Sequence, residues 1–200
     1  MKTLLVISSP RGELSHSTRL WKYAAEQFGW EIEVLDLSTM PPLFLTGPVI
    51  AMNYGFAEYD NLSESDKKVA NLQKAYIHQL RNVDNVVITA PMWNFSMPAS
   101  LKAWFDLVIK AGDTFSMDAT GYHGHVNNIQ KAFVIGSRGG KYIGTDFAWY
   151  DSLTSHIKGL LGFIGITQIT DVWLEWANML DESAMTEEVK RLQEVISSAI

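Results

Sequence analysis

The sequence predicts an α/β fold in which a five-stranded parallel sheet carries helices on both faces. Three observations lead there. Short continuous apolar runs recur, as in Leu4-Leu5-Val6-Ile7, Val86-Val87-Ile88 and Ala132-Phe133-Val134-Ile135, a pattern that suits strands buried on both sides. Stretches with apolar residues at helical spacing separate them, so strand and helix alternate along the whole chain. Distinctive loops follow the first, third and fourth strand-like runs, at the ends where such sheets take ligands.

In order, residues 3–8 read as the first strand. A helix over 16–29 follows, carried by Leu20, Tyr23, Ala24 and Phe28 and stopped by Gly29. Glu31 to Leu37 alternates as a second strand, which Met40-Pro41-Pro42 ends. Residues 43–60 are irregular but rich in Leu43, Phe44, Leu45, Ile50, Met52, Tyr54, Phe56 and Tyr59. That is too apolar for a disordered linker, and an excursion over a subunit interface or a pocket rim is expected. Ser63-x-x-Asp66 resembles a capping box and opens a helix on Val69, Leu72, Ala75, Tyr76 and Leu80. Asn85 to Ala90 is a third strand. Pro98 takes the first position of an apolar helix that ends at Ala111-Gly112. Residues 113–130 read as a loop or hairpin, and Lys131 to Ile135 as the fourth strand. A helix over 147–161, a fifth strand from Ile169 to Trp173 and a helix from Glu182 to Ser198 complete the chain. Length and the lack of repeats or linkers suit a single domain over 1–200.

Composition narrows the function. Cysteine is absent, which excludes disulfides, a Cys nucleophile and Cys-held metal centres. A net charge of −6 argues against a nucleic-acid binder. No window approaches a membrane span, and the start leads straight into a strand. The expectation is a cytoplasmic protein. Seven Trp, seven Tyr and nine Phe are rich for this size, so a heavy core plus a subunit interface, a flat aromatic pocket, or both are expected.

The first loop, Ser8 to Arg19, joins a strand to a helix N-terminus and offers Ser9, Ser15, Ser17 and Thr18 hydroxyls. Unpaired helix N–H groups and the dipole suit a phosphate there, while simple capping by Ser15 or Ser17 is the plainer reading. Neither G-x-G-x-x-G nor a P-loop is present. Loops with hydroxyls here and few glycines usually hold a phosphomonoester, and flavin mononucleotide (FMN) is the commonest such ligand in this kind of fold. With strand order 2-1-3-4-5, this loop meets those at Pro91 to Pro98 and Gly136 to Gly140 around one crevice. Trp93 and Phe95 offer faces for a planar ring. Asn94 offers polar atoms, and Gly139 and Gly140 allow close backbone approach. His123-x-His125 lacks companion ligands and reads as a solvated loop.

These residues together resemble a known family. Ser9…Ser15-His16-Ser17, Pro91-Met92-Trp93-Asn94-Phe95, Leu101-Lys102…Phe105-Asp106…Ala111-Gly112…Thr114-Phe115, Ser137-Arg138-Gly139-Gly140 and Leu161-Gly162-Phe163-Ile164-Gly165 are similar, in that order, to the bacterial FMN-dependent NADH:quinone oxidoreductases and azoreductases of flavodoxin-like fold. The resemblance implies that Ser9, Ser15, His16 and Ser17 hold the FMN phosphate. It implies that Met92, Trp93, Asn94 and Phe95 line the isoalloxazine ring, and that Ser137, Gly139 and Gly140 edge its pyrimidine end. It further implies a homodimer with active sites at the subunit interface, NADH or NADPH as hydride donor, and quinone or azo acceptors. Arg138 belongs to the same motif, its side chain left open between the nicotinamide nucleotide's phosphates and a surface ion pair. The family often has Gln at His16, Tyr at Trp93, an aromatic at Met117 and a His near Lys141-Tyr142, so substrate preference transfers least. A flavodoxin-type electron carrier is the alternative, disfavoured by the modest charge and by the 43–60 and 113–130 insertions.

Overall fold

The computed structural model describes residues 1–25 and 29–198. The chain runs β1 (Lys2–Ile7), α1 (His16–Ala25), β2 (Glu31–Asp36), α2 (Gly47–Asn53), α3 (Glu64–Arg81) and β3 (Asn85–Pro91). It continues through α4 (Ala99–Val108), β4 (Phe115–Asp118), β5 (Gly121–Gly124), β6 (Lys131–Ser137), α5 (Ser152–Phe163), β7 (Ile169–Leu174) and α6 (Glu182–Ser198). Five strands form one parallel sheet in the order β2-β1-β3-β6-β7. The expected order 2-1-3-4-5 needs renumbering, because the 113–130 region forms two strands of its own. β4 and β5 pair antiparallel as a separate hairpin.

Strand residues alternate between two apolar layers, as a sheet covered on both faces requires. Leu4, Val6, Val86, Ile88, Ala132 and Val134 pack with Leu80, Leu101, Trp104, Phe105 and Ile157 from α3, α4 and α5. Leu5, Ile7, Val87, Phe133 and Ile135 pack with Leu20 and Trp21 of α1 and Met185 and Val189 of α6. No helix among the described residues is long and apolar enough to cross a membrane.

Several boundaries differ from the sequence reading. α1 is described to Ala25; residues 26–28, with Phe28, lie outside the described residues, and Gly29 has φ +58°. Pro98 is the N-cap of α4 rather than its first residue, with extended backbone (φ −54°, ψ 144°). α4 stops at Val108, three residues early, because Thr114 Oγ1 donates to the Val108 carbonyl and accepts from Lys110 N (2.7 and 2.9 Å). The helix expected over 147–161 is split into a 3-10 turn, Ala148–Tyr150, and α5. Asp151 makes the break, since its side chain accepts from the N–H groups of Leu153 and Thr154. The 43–60 excursion contains α2, anchored by buried Val49 and by the Thr46 hydroxyl donating to Asp66 Oδ1 at 2.6 Å. Ser63 caps α3 as expected, accepting from Asp66 N at 3.1 Å.

One glycine is imposed by packing. A Cβ on Gly136 would lie 1.8 Å from the ring of Trp173 across the β6–β7 pair. Gly136→Ala should therefore destabilise the protein by about 1–3 kcal/mol, the usual cost of overpacking. Urea unfolding should show a lower midpoint at an unchanged slope.

Candidate active site

Sheet register brings three loops to one edge. Ile7 pairs with Thr89, Pro91 with Ser137, and Ser137 with Leu174, so β1, β3, β6 and β7 end nearly level. Hydrogen bonds join the loops as they leave. Ser8 N and Oγ donate to the Thr89 carbonyl at 3.2 and 2.7 Å. Met92 N donates to the Ser137 carbonyl at 2.8 Å.

The first loop buries its hydroxyls. Ser8, Ser9, Ser15, Ser17 and Thr18 are buried, while Pro10 and Arg11 are exposed. Ser15 stands at the N-cap of α1: its backbone is extended and its carbonyl accepts from Arg19 N at 2.9 Å. Its Oγ lies 2.9 Å from Ser17 Oγ. Thr18 Oγ1 and, at the end of β3, Thr89 Oγ1 are buried without a hydrogen-bond partner among the described residues. Such orphaned hydroxyls beside a helix N-terminus are costly unless a ligand uses them. His16 is half-buried at the same helix start. Burial, then the Arg11 and Arg19 charges, hold its pKa below the ordinary histidine value.

The second loop folds back on itself. Trp93 and Ser96 exchange backbone hydrogen bonds of 2.9 and 3.0 Å, with Asn94 (φ +47°) and Phe95 (φ +68°) between them. Two central residues at positive φ define a type I′ turn. Asn tolerates this region; Phe does so at a cost of roughly 1–2 kcal/mol. The turn leaves Trp93 and Phe95 exposed at the crevice mouth. A cleft of about 550 Å³ runs between Ser8 and Pro10 on one side and Trp93, Asn94 and Ser96 on the other, floored by Leu37 and Met97.

The third loop corrects one expectation. Arg138 is neither a surface ion pair nor a group reaching into the crevice, for its residue is only 1% exposed. Nη1 donates to Glu175 Oε1 at 3.0 Å and Nη2 to Asp151 Oδ2 at 2.7 Å and to Thr154 Oγ1. Its guanidinium lies over the Trp173 ring at 4.2 Å, and that ring occupies the space that Gly136 leaves open. Glu175 also accepts from the N–H groups of Tyr142 and Ile143 at 2.8 and 3.0 Å. Ser137 is buried at the end of β6. Gly140 has room around it, whereas a Cβ on Gly139 would press on Asn178 at 2.6 Å.

The structure thus brings Ser9, Ser15, His16, Ser17, Met92, Trp93, Asn94, Phe95, Ser137, Gly139 and Gly140 to one edge of the sheet. It adds Asp151, Thr154 and Glu175, which sequence reasoning missed. Asp151 had a local signal as a cap before Ser152. Glu175, paired with Arg138 across 37 residues, had none. His123 lies on the β4–β5 hairpin, away from this edge, with Nε2 3.1 Å from Asp118 Oδ1 and 3.0 Å from Thr120 Oγ1. Among the described residues no group of three or more metal-ligating side chains gathers.

Comparison with known proteins places this geometry. A family model for the flavodoxin-like fold matches residues 1–196. FMN-dependent NADH:quinone oxidoreductase 2 of Trichormus variabilis is 33% identical over 205 residues, covering 98% of this chain and 97% of that protein. The FMN-dependent NADH:quinone oxidoreductase of Nitratidesulfovibrio vulgaris is 38% identical over 183 residues, covering 88% and 87%. The chain belongs to the flavodoxin-like family of these oxidoreductases. The solved FMN-dependent NADH-azoreductase of Bacillus anthracis, in complex with FMN, shares the fold. It has a TM-score of 0.85 over 99% of each chain at 23% identity.

Two outcomes follow for this family member's site. Arg138→Met should cost about 3–5 kcal/mol in chemical unfolding, because it strands two partly buried carboxylates. His16 has a folded-state pKa below its unfolded value, so its contribution is present above that unfolded value and is lost as pH falls through the folded one. Stability measured between pH 7.5 and 5 should decline less in His16→Gln than in the parent.

Proposed function

We propose that this protein is an FMN-dependent oxidoreductase that uses NADH or NADPH to reduce quinones and azo compounds, with residues 1–200 acting as one FMN-binding domain. The observation that carries the reading is the set of buried hydroxyls at the start of α1, two of them mutually bonded and one orphaned, facing a loop that presents two rings and an Asn across the sheet edge. The residues fit the cofactor: one end of the crevice supplies phosphate donors, the other flat apolar surface with polar edges. The family's FMN-dependent members support the same assignment.

Ser9, Ser15, His16 and Ser17 would hold the phosphate, with backbone N–H groups and the α1 dipole adding to the hydroxyls. Met92, Trp93, Asn94 and Phe95 would line the flavin ring. Ser137, Gly139 and Gly140 would edge its pyrimidine end. Arg138 acts from beneath by fixing the third loop, not by touching the flavin. When bound, FMN supplies the redox chemistry by taking a hydride from the nicotinamide and passing two electrons to the acceptor. Trp93 and Phe95 exclude water from the ring's edge, and solvent protons complete the reduced product.

A second copy of the chain would cover the site. Phe44, Tyr54, Phe56, Met117 and Tyr122 are exposed together with a cavity of about 850 Å³ lined by Leu45, Ile50, Phe115 and Phe163. So much exposed apolar surface suits a homodimer.

An anaerobic titration tests the reading. The flavin band of FMN-loaded protein should bleach with NADH in one two-electron step and return on addition of benzoquinone. A flavin that stays oxidised with NADH but yields a stable one-electron state with dithionite would instead make the protein an electron carrier. Ser17→Ala should weaken FMN binding roughly tenfold or more, the value of a hydrogen bond to a charged group, as read by flavin fluorescence. Sedimentation should return twice the chain mass.

A further inference from the structure

Beside the crevice, five aromatic rings form a continuous patch of which the reaction described above uses only Phe95. Phe95 stacks on Tyr150 with centroids 4.8 Å apart and planes 28° apart. Trp149 stacks on Tyr150 at 3.6 Å and 27°, and Phe147 lies 6.4 Å from it at 23°. Tyr142 meets Phe95 edge-on at 6.4 Å. The other four rings of the patch come from residues 142–150, two of them meeting Phe95 and two meeting Tyr150. The patch is open: Trp149 is 73% exposed and Phe147 60%. Contiguous exposed aromatic surface of this kind marks a binding surface.

The rings are also held in place. Ser152 N and Oγ donate to the Phe95 carbonyl at 3.2 and 2.8 Å. The Thr145 hydroxyl accepts from Phe147 N at 3.2 Å, and Ala148–Tyr150 is a 3-10 turn. Asp151, next in sequence, is clamped by buried Arg138. Glu175, clamped by the same guanidinium, holds the backbone of Tyr142. A stack ordered in advance loses little freedom when a ring docks on it.

We propose that the stack built on Phe95, Phe147, Trp149 and Tyr150 is a platform for planar, fused-ring aromatic electron acceptors, and that it selects them over single-ring acceptors. The proposal rests on the oxidoreductase reading for its consequence in turnover, not for the binding itself. Continuity decides the occupant. Phe95 belongs both to the loop that lines the crevice and to the stack, so the stack begins where the crevice mouth ends and is met by an acceptor whose ring system extends past that mouth. A single ring spans only the mouth. The mixed face of Tyr and Trp rings suits an extended π system carrying polar substituents.

The test compares 1,4-naphthoquinone with 1,4-benzoquinone. In Trp149→Ala, kcat/KM for naphthoquinone should fall roughly fivefold or more relative to benzoquinone, the worth of one good ring stack, and Trp149→Phe should restore most of it. The dissociation constant of naphthoquinone for the oxidised, FMN-loaded protein should rise by a similar factor. Three results would overturn the proposal. In the first, both quinones lose equally. In the second, NADH reduction of the flavin slows in parallel, which would give the stack to the nicotinamide nucleotide. In the third, Trp149→Ala halves the molecular mass, which would make the patch a subunit contact. Failure of the oxidoreductase reading is told apart by parent protein that turns over neither quinone, in which case the direct binding measurement still decides the platform.

Discussion

A guanidinium with almost no solvent contact holds the binding edge together. Moving such a charge out of water is expensive, and here two carboxylates, a threonine hydroxyl and an indole face offset it, while Nε of Arg138 has no partner among the described residues. Compare Lys102 and Asp106, a half-exposed pair one helical turn apart at 2.5 Å, which contributes only tenths of a kcal/mol. The partners of Arg138 come from three separate places: the exit of β7, the cap of α5 and the α5 first turn. One side chain therefore sets the relative position of segments that the sheet alone leaves free. Through Asp151 and Ser152 that order reaches Phe95, and through Glu175 it reaches Tyr142.

The clamp in turn depends on an empty space. Trp173 can lie under the guanidinium because Gly136, on the neighbouring strand, has no side chain. The indole N–H is satisfied by Asp171, which Lys158 of α5 also engages. Strand pairing, ring packing and charge burial are thus coupled at one place, the carboxyl end of β6 and β7.

Much of this was readable from residues. Continuous apolar runs locate β1, β3 and β6, because burial on both faces leaves no room for alternation, whereas the edge strand β2 shows itself by alternation. The hydroxyl-rich loop and the Met92–Phe95 segment were identified because loops that end parallel strands must meet at one edge. Boundaries were lost wherever a side chain outcompeted the backbone pattern, as with Thr114 ending α4 and Asp151 dividing the stretch after Asp146. The role of Arg138 was lost for a different reason. A charged residue beside two glycines reads as solvent-facing, and only long-range partners such as Glu175 reveal that it is buried. The hairpin of β4 and β5 reads from sequence as either loop or hairpin, since four-residue strands carry little periodic signal.

The turn at Asn94 and Phe95 has an implication for anyone selecting improved forms of this protein. A phenylalanine in the left-handed region is a residue that glycine or asparagine would outperform for folding alone. A library sorted only by survival of heating will therefore enrich replacements at Phe95, and its winners will lack the ring that connects the crevice to its aromatic surroundings. Heat resistance and acceptor range are opposed at this single position, so a useful selection must score both in the same round.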